Sequence, residues 1–125
     1  MTSNQFQFSL SLLASVAVLG VALNSKVVLA AELEMTEVPE MYCFGTLRGV
    51  LERGDADRIK PVLEDRRVAN GKRLCLDSPG GSLVEGVRLA ELLIETRRGT
   101  AIDKGAQCES ACALAFMGGA SKRRE

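Results

Sequence analysis

Residues 76–93 read LDSPGGSLVEGVRLAELL, and the fold turns on how Pro79-Gly80-Gly81 is interpreted. Two adjacent glycines lose more backbone entropy on ordering than other residues do. A chain keeps them where a turn is tight or where the backbone comes close to something bound. On the amino-terminal side, Arg73–Asp77 (RLCLD) is short and apolar and predicts a buried strand. On the carboxyl-terminal side, Ser82 and Glu85 form an S-x-x-E capping box. Leu83, Val87, Ala90 and Ile94 then recur at helical spacing, with Val84 and Leu93 nearby. This predicts an amphipathic helix that holds Glu85, Arg88, Glu91 and Glu95 outside. Arg97 and Arg98 suit the negative end of its dipole, and Gly99 fits the residue after its C-cap.

Working outward, Thr100–Asp103 reads as another strand. Gln107–Glu109 leads into a second helix, Ser110–Met117, ended by Gly118-Gly119. Upstream, Tyr42–Leu51 (YCFGTLRGVL) predicts a strand. The ERGD turn after it feeds a helical stretch, Ala56–Val68, with Ile59, Val62, Leu63 and Val68 near one face. Pro61 requires that helix to start close to it or to kink there. Asn70-Gly71 is a turn signal, and the acidic residues 31–41, with Pro39, read as a solvated lead-in. Strand, helix, strand, turn, helix in this order predicts an α/β fold with a parallel sheet and right-handed crossovers.

The chain of 125 residues has room for one domain, residues 42–125, behind a leader. Its net charge is zero, and beyond residue 30 its only aromatics are Tyr42, Phe44 and Phe116. Neither a basic patch nor a stacking platform supports nucleic-acid binding. Phe8–Leu23 carries no charge and is followed by small residues at Val28 and Ala30. Residues 1–30 therefore read as an export signal cleaved after Ala30, and the protein as periplasmic or secreted. The alternative is a retained membrane anchor over residues 8–23. Four cysteines, Cys43, Cys75, Cys108 and Cys112, permit two disulfides in three pairings. A zinc site is disfavoured because the chain has no histidine and only Cys108 and Cys112 are close in sequence. No metal or other cofactor is expected.

Two elements converge on the carboxyl edge of the predicted sheet, where α/β folds bind ligands. Gly80 and Gly81 expose backbone N–H groups with no side chain in the way. Ser110 opens a helix, beside further free N–H groups. A serine oxygen next to N–H donors outlines a nucleophile with an oxyanion hole. Each piece also has a plainer interpretation: Pro-Gly-Gly as a turn and Ser110 as an N-cap. Cys108 and Cys112 lie four residues apart across the same helix start, a spacing that can satisfy disulfide geometry and stiffen the serine turn. Two buried free thiols are the alternative.

LDSPGGSLVEGVRLAELL followed by TAIDKGAQCESACALAFMGGA resembles the Clp protease proteolytic subunit and signal peptide peptidase superfamily. It is more closely similar to small exported members with a C-x-S-A-C motif, over about residues 45–120. The resemblance implies the ClpP/crotonase fold of ββα units, cut short after the serine motif. It also implies Ser110 as nucleophile, with the Gly81 and Ala111 N–H groups as oxyanion donors, and a peptide or protein substrate. A homo-oligomer is compatible with it. In that superfamily a His and an Asp follow the serine helix, or a lysine serves as base. Here there is no histidine, and Lys104 and Lys122 lie on no matching motif. Serine without a base is a poor nucleophile. The expectation is therefore an exported serine-peptidase-like protein, incomplete or inactive as it stands. A non-catalytic peptide-binding or assembly module is the alternative, and a crotonase-like acyl-CoA site a more distant one.

Overall fold

The computed structural model describes residues 30–38 and 41–125. Strand β3, Arg73–Asp77, forms as predicted and lies in the middle of the sheet, with Leu74, Cys75 and Leu76 all buried. β2 (Cys43–Arg48) and β4 (Gly99–Ile102) flank it, both parallel to it. Helix α1 (Asp55–Glu64) joins β2 to β3, and α2 (Leu83–Thr96) joins β3 to β4. α3 (Ala111–Met117) leads from β4 into a short edge strand, β5 (Lys122–Arg124), parallel to β4. The α/β class and the order of β2, α1, β3, α2, β4 and α3 follow the sequence reading, whereas β5 was not predicted.

The sheet is mixed rather than all parallel. Residues predicted as a solvated lead-in contain β1 (Glu32–Met35), which pairs antiparallel with β2, giving the order β1-β2-β3-β4-β5. Alternation in Leu33 and Met35 is the only sequence trace of β1, and both it and β5 are short edge strands paired on one side only. The expected leader or anchor lies outside the described residues, save Ala30. Among the described residues, no helix is long and apolar enough to cross a membrane.

One continuous core holds Phe44, Leu47, Leu74 and Leu76 of the sheet against Ile59 and Leu63 of α1, Leu89 and Leu93 of α2, and Ala111 and Ala115 of α3. The other face of the sheet carries a smaller cluster, Cys43, Cys75 and Ala101, with Tyr42 packed on it. There a Cys43–Cys75 disulfide joins adjacent strands across 32 residues. A domain this size buries too little apolar surface to cover both faces generously, and the bridge fastens the thinner side.

The facing of α2 corrects the sequence reading. Leu83, Val84, Val87 and Ile94 are exposed, and Leu89, Leu92 and Leu93 point inward. The helix carries two apolar stripes, and its contact with α3 selects between them. A Cβ on Gly86 would lie 2.4 Å from the Ala111 carbonyl oxygen, and one on Gly118 would lie 2.4 Å from the Ala90 Cα. Close approach along this seam turns the Leu89–Leu93 side toward the sheet. Gly86→Ala is therefore expected to cost about 1–3 kcal/mol by overpacking, read as a lowered urea midpoint with unchanged m-value. An unchanged midpoint would contradict the close seam.

Two charged residues predicted for the surface or for α2 serve α1 instead. Ser82 Oγ does accept from Glu85 N–H (3.3 Å), as a capping box requires. The Glu85 carboxylate, however, is buried and accepts from the Ala56 N–H at the start of α1 (3.1 Å) and from Arg88 (3.1 Å). Gly54, the residue before α1, offers no side-chain cap of its own. At the other end of α1, Arg98 donates to the Leu63, Asp65 and Val68 carbonyls, at 3.0, 2.8 and 3.2 Å. That helix ends at Glu64 rather than Val68, and it runs through Pro61, starting six residues earlier at Asp55. α2 itself ends on Arg97 in the left-handed region (φ 54°). Gly99 is not its terminator but the first residue of β4, where an added Cβ would meet the Ser121 Oγ at 2.5 Å.

Candidate active site

The Gly-Gly turn and the serine turn meet at the carboxyl edge of the sheet. Ser78, the residue after β3, is fully buried and pairs in parallel with Cys108. Its N–H donates to the Gln107 carbonyl (2.7 Å), and its carbonyl accepts from the Glu109 N–H (3.2 Å). Asp77 adds a second tie by accepting from the Gln107 N–H (3.1 Å). The strand end thus carries the segment that leads into Ser110.

Within the Pro79-Gly80-Gly81 turn, Ser78 Oγ accepts from the Gly80 N–H (3.1 Å), closing a short side-chain turn. Both glycines hold positive φ, 104° and 134°. Gly81 is pinned by Leu51 on the far side: Leu51 N–H donates to the Gly80 carbonyl, and Ser82 N–H to the Leu51 carbonyl, each at 2.8 Å. An added Cβ on Gly80 would stand 2.7 Å from the Glu109 carbonyl oxygen, 2.8 Å from the Ser110 Cβ and 3.3 Å from the Ala111 nitrogen. The glycine is required by this close approach to the serine turn. The sequence reading expected free N–H groups at both Gly80 and Gly81 and missed Ser78, whose side chain takes the Gly80 N–H; a serine two residues before Gly80 was the available signal.

Ser110 is exposed and adopts φ 51°, ψ −122°, one of two non-glycine residues at positive φ among those described. Such a conformation costs of order 1–3 kcal/mol and persists only where the surroundings over-determine it. Its hydroxyl makes no capping hydrogen bond, so the plain N-cap interpretation does not describe it. The helix start is closed by backbone bonds instead, Cys112 N–H to the Glu109 carbonyl (3.0 Å) and Ala113 N–H to the Ser110 carbonyl (2.9 Å). Among the described residues, no hydrogen bond engages the N–H of Gly81 or of Ala111. The Gly80 contact brings the Gly-Gly turn against the start of α3, so the Ser110 hydroxyl and the unspent Ala111 N–H lie beside that turn.

A Cys108–Cys112 disulfide spans the turn, with Cα atoms 5.0 Å apart. Both cysteine pairs are bridged, and no free cysteine remains among the described residues. The two lysines separate by position. Lys122 lies at the amino edge of the sheet, beside Thr100, and donates to the Gly119 carbonyl (2.9 Å). Lys104 follows β4 at the site's own edge and lines a shallow cavity of about 350 Å³ with Arg48, Asp77 and Asp103. No group of three or more potential metal-ligating side chains occurs among the described residues.

Gly80→Ala forces a Cβ into the serine turn at a φ that L-residues avoid. It should cost about 2 kcal/mol and raise amide hydrogen exchange at Ser110–Ala111 first. Unchanged exchange there would show that the two turns do not support each other. No protein-family model, no curated protein and no solved structure matches this chain.

Proposed function

We propose that this is an exported, serine-peptidase-like domain of the Clp protease and signal peptide peptidase type. Ser110 is the nucleophile position, and the Gly81 and Ala111 N–H groups are the oxyanion donors. The observation that carries this reading is Ser110 itself: exposed, held at an unfavourable φ, and not used as a cap. A fold bears that cost where the oxygen has a task. The bound group in this reading is the carbonyl or carboxylate of a peptide, an acceptor that suits backbone N–H donors left without a hydrogen bond.

The chain contains no histidine, so no Ser–His pair forms within it. Removing a base typically lowers rate by several powers of ten. The 125-residue protein is expected to give little or no adduct with a fluorophosphonate probe by intact mass. Its Gly81 and Ala111 amide resonances should still shift when a short peptide bearing a free carboxylate is titrated in. Absence of both shifts would refute the oxyanion site. Strong labelling lost in Ser110→Ala would instead reveal a base within the chain, with Lys104 the first residue to replace. Amide shifts without labelling favour the second reading, a peptide-binding module on the same scaffold. The missing histidine together with the two free donors supports that alternative.

Two disulfides in so small a domain support an oxidising compartment. Ala31 is buried and its N–H donates to the Val50 carbonyl (2.8 Å), so folding covers the carboxyl side of the proposed cleavage point. Intact mass of the mature protein should begin at Ala31, and a full-length cytoplasmic species would overturn export.

A further inference from the structure

The two disulfides differ in burial and in the length of chain they close. Cys43 and Cys75 are both buried between adjacent strands and close 32 residues. Cys108 is partly exposed, only Cys112 is buried, and their bridge closes four residues. Exchange requires a thiolate to reach a sulfur, so access decides which bridge reacts. Opening the short bridge also releases little chain, because its ends remain tied by neighbouring backbone bonds. Those ties are the Ser78–Cys108 pairing on one side and the first turn of α3 on the other.

What the short bridge does hold is Ser110, midway between its two ends. The positive φ of Ser110 must be over-determined, and three constraints surround it: the Gly80 contact, the Ser78–Glu109 hydrogen bond and this disulfide. We infer that Cys108–Cys112 is a thiol–disulfide exchange site through which an external dithiol switches the Ser110 turn. The attacking thiolate bonds to the Cys108 sulfur, and the Cys108–Cys112 bond breaks with Cys112 leaving as thiolate. The second thiol of the reductant then displaces Cys108 and closes the reductant's own disulfide. Two electrons pass to the cysteine pair, and the two protons given up by the dithiol end on the cysteine sulfurs. In the reduced form Ser110 relaxes toward an ordinary φ and the Ala111 N–H swings away from the Gly80 turn. The bridge thus gates the site proposed above. Its functional meaning rests on that reading, whereas the exchange chemistry does not.

The test uses the oxidised full-length protein in native buffer with dithiothreitol as the dithiol. Thiols are trapped by alkylation over time and located by peptide mass. Cys108 and Cys112 should become alkylated at least about tenfold faster than Cys43 and Cys75. Amide exchange over residues 108–113 should rise by about tenfold while β2 and β3 stay protected. A Cys108→Ser/Cys112→Ser double variant should show the same fast exchange without reductant. If that variant does not fold, the reduced wild type still decides the matter. Simultaneous alkylation of all four cysteines would overturn selectivity, and selective reduction with unchanged exchange at Ala111–Ala113 would overturn the gate. Both readouts are independent of acyl chemistry, so failure of the peptide-carboxylate titration leaves this result interpretable.

Discussion

Replacing Cys43 and Cys75 together by alanine is expected to lower stability by about 4 kcal/mol, on the loop-entropy relation for a bridge closing some thirty residues. For a domain of this size that is a fall in melting temperature of roughly 20 °C. The bridge joins β2 to β3 across 32 residues and fastens the sheet face that carries only a small cluster. Both cysteines are buried there, so alanine also leaves unfilled volume. The same relation gives about 2 kcal/mol for the four-residue Cys108–Cys112 bridge. The ordering of the two double variants in thermal unfolding is therefore the sharper readout. Equal losses would mean that the long bridge does not act by restraining the unfolded chain.

The second large effect belongs to Glu85. Glu85→Ala removes the acceptor for the Ala56 N–H and one of the two carboxylate partners of Arg88 in one step, leaving a buried donor at the start of α1. A loss of about 3 kcal/mol is expected from a buried, charge-assisted acceptor. Burial pushes the Glu85 carboxyl upward, but hydrogen bonds from the Ala56 N–H and Arg88 outweigh it and leave it below its ordinary value of 4.5. A depressed folded-state pKa contributes stability that is fully present above the unfolded-state value and disappears as pH falls through the folded-state value. The gap between wild type and Glu85→Ala in urea unfolding should thus be constant from neutral pH down to about 5 and shrink below it. A gap that persists unchanged at pH 2 would show that the carboxylate charge is not what stabilises the α1 start.

Both residues show how the sequence and the tertiary structure divide the work. The S-x-x-E spacing correctly marks Ser82 as the start of α2, because its oxygen meets the Glu85 N–H within one turn. The other half of that pattern does not form: the Ser82 N–H donates to the Leu51 carbonyl, and the Glu85 carboxylate accepts from the Ala56 N–H instead. Arg98 is a similar case: its position at a helix end was legible, but the carbonyls it satisfies are 30–35 residues away in α1 and the segment after it.

Elements whose signals are local were legible from the residues alone. Leu74–Leu76 makes β3, Pro79-Gly80-Gly81 makes a turn, Ser82 starts α2, and the C-E-S-A-C spacing brings Cys108 within bonding reach of Cys112. Each is decided within about five residues by sterics, capping or side-chain reach. Long-range packing selects which stripe of α2 is buried, makes Glu32–Met35 a strand and presses Gly80 against Ser110. Leu83, Val87 and Ile94 match Leu89, Leu92 and Leu93 in hydrophobicity, so no local term separates the two stripes. The choice is made by shape, where Gly86 lets the Ala111 backbone approach and fixes the rotation of the helix.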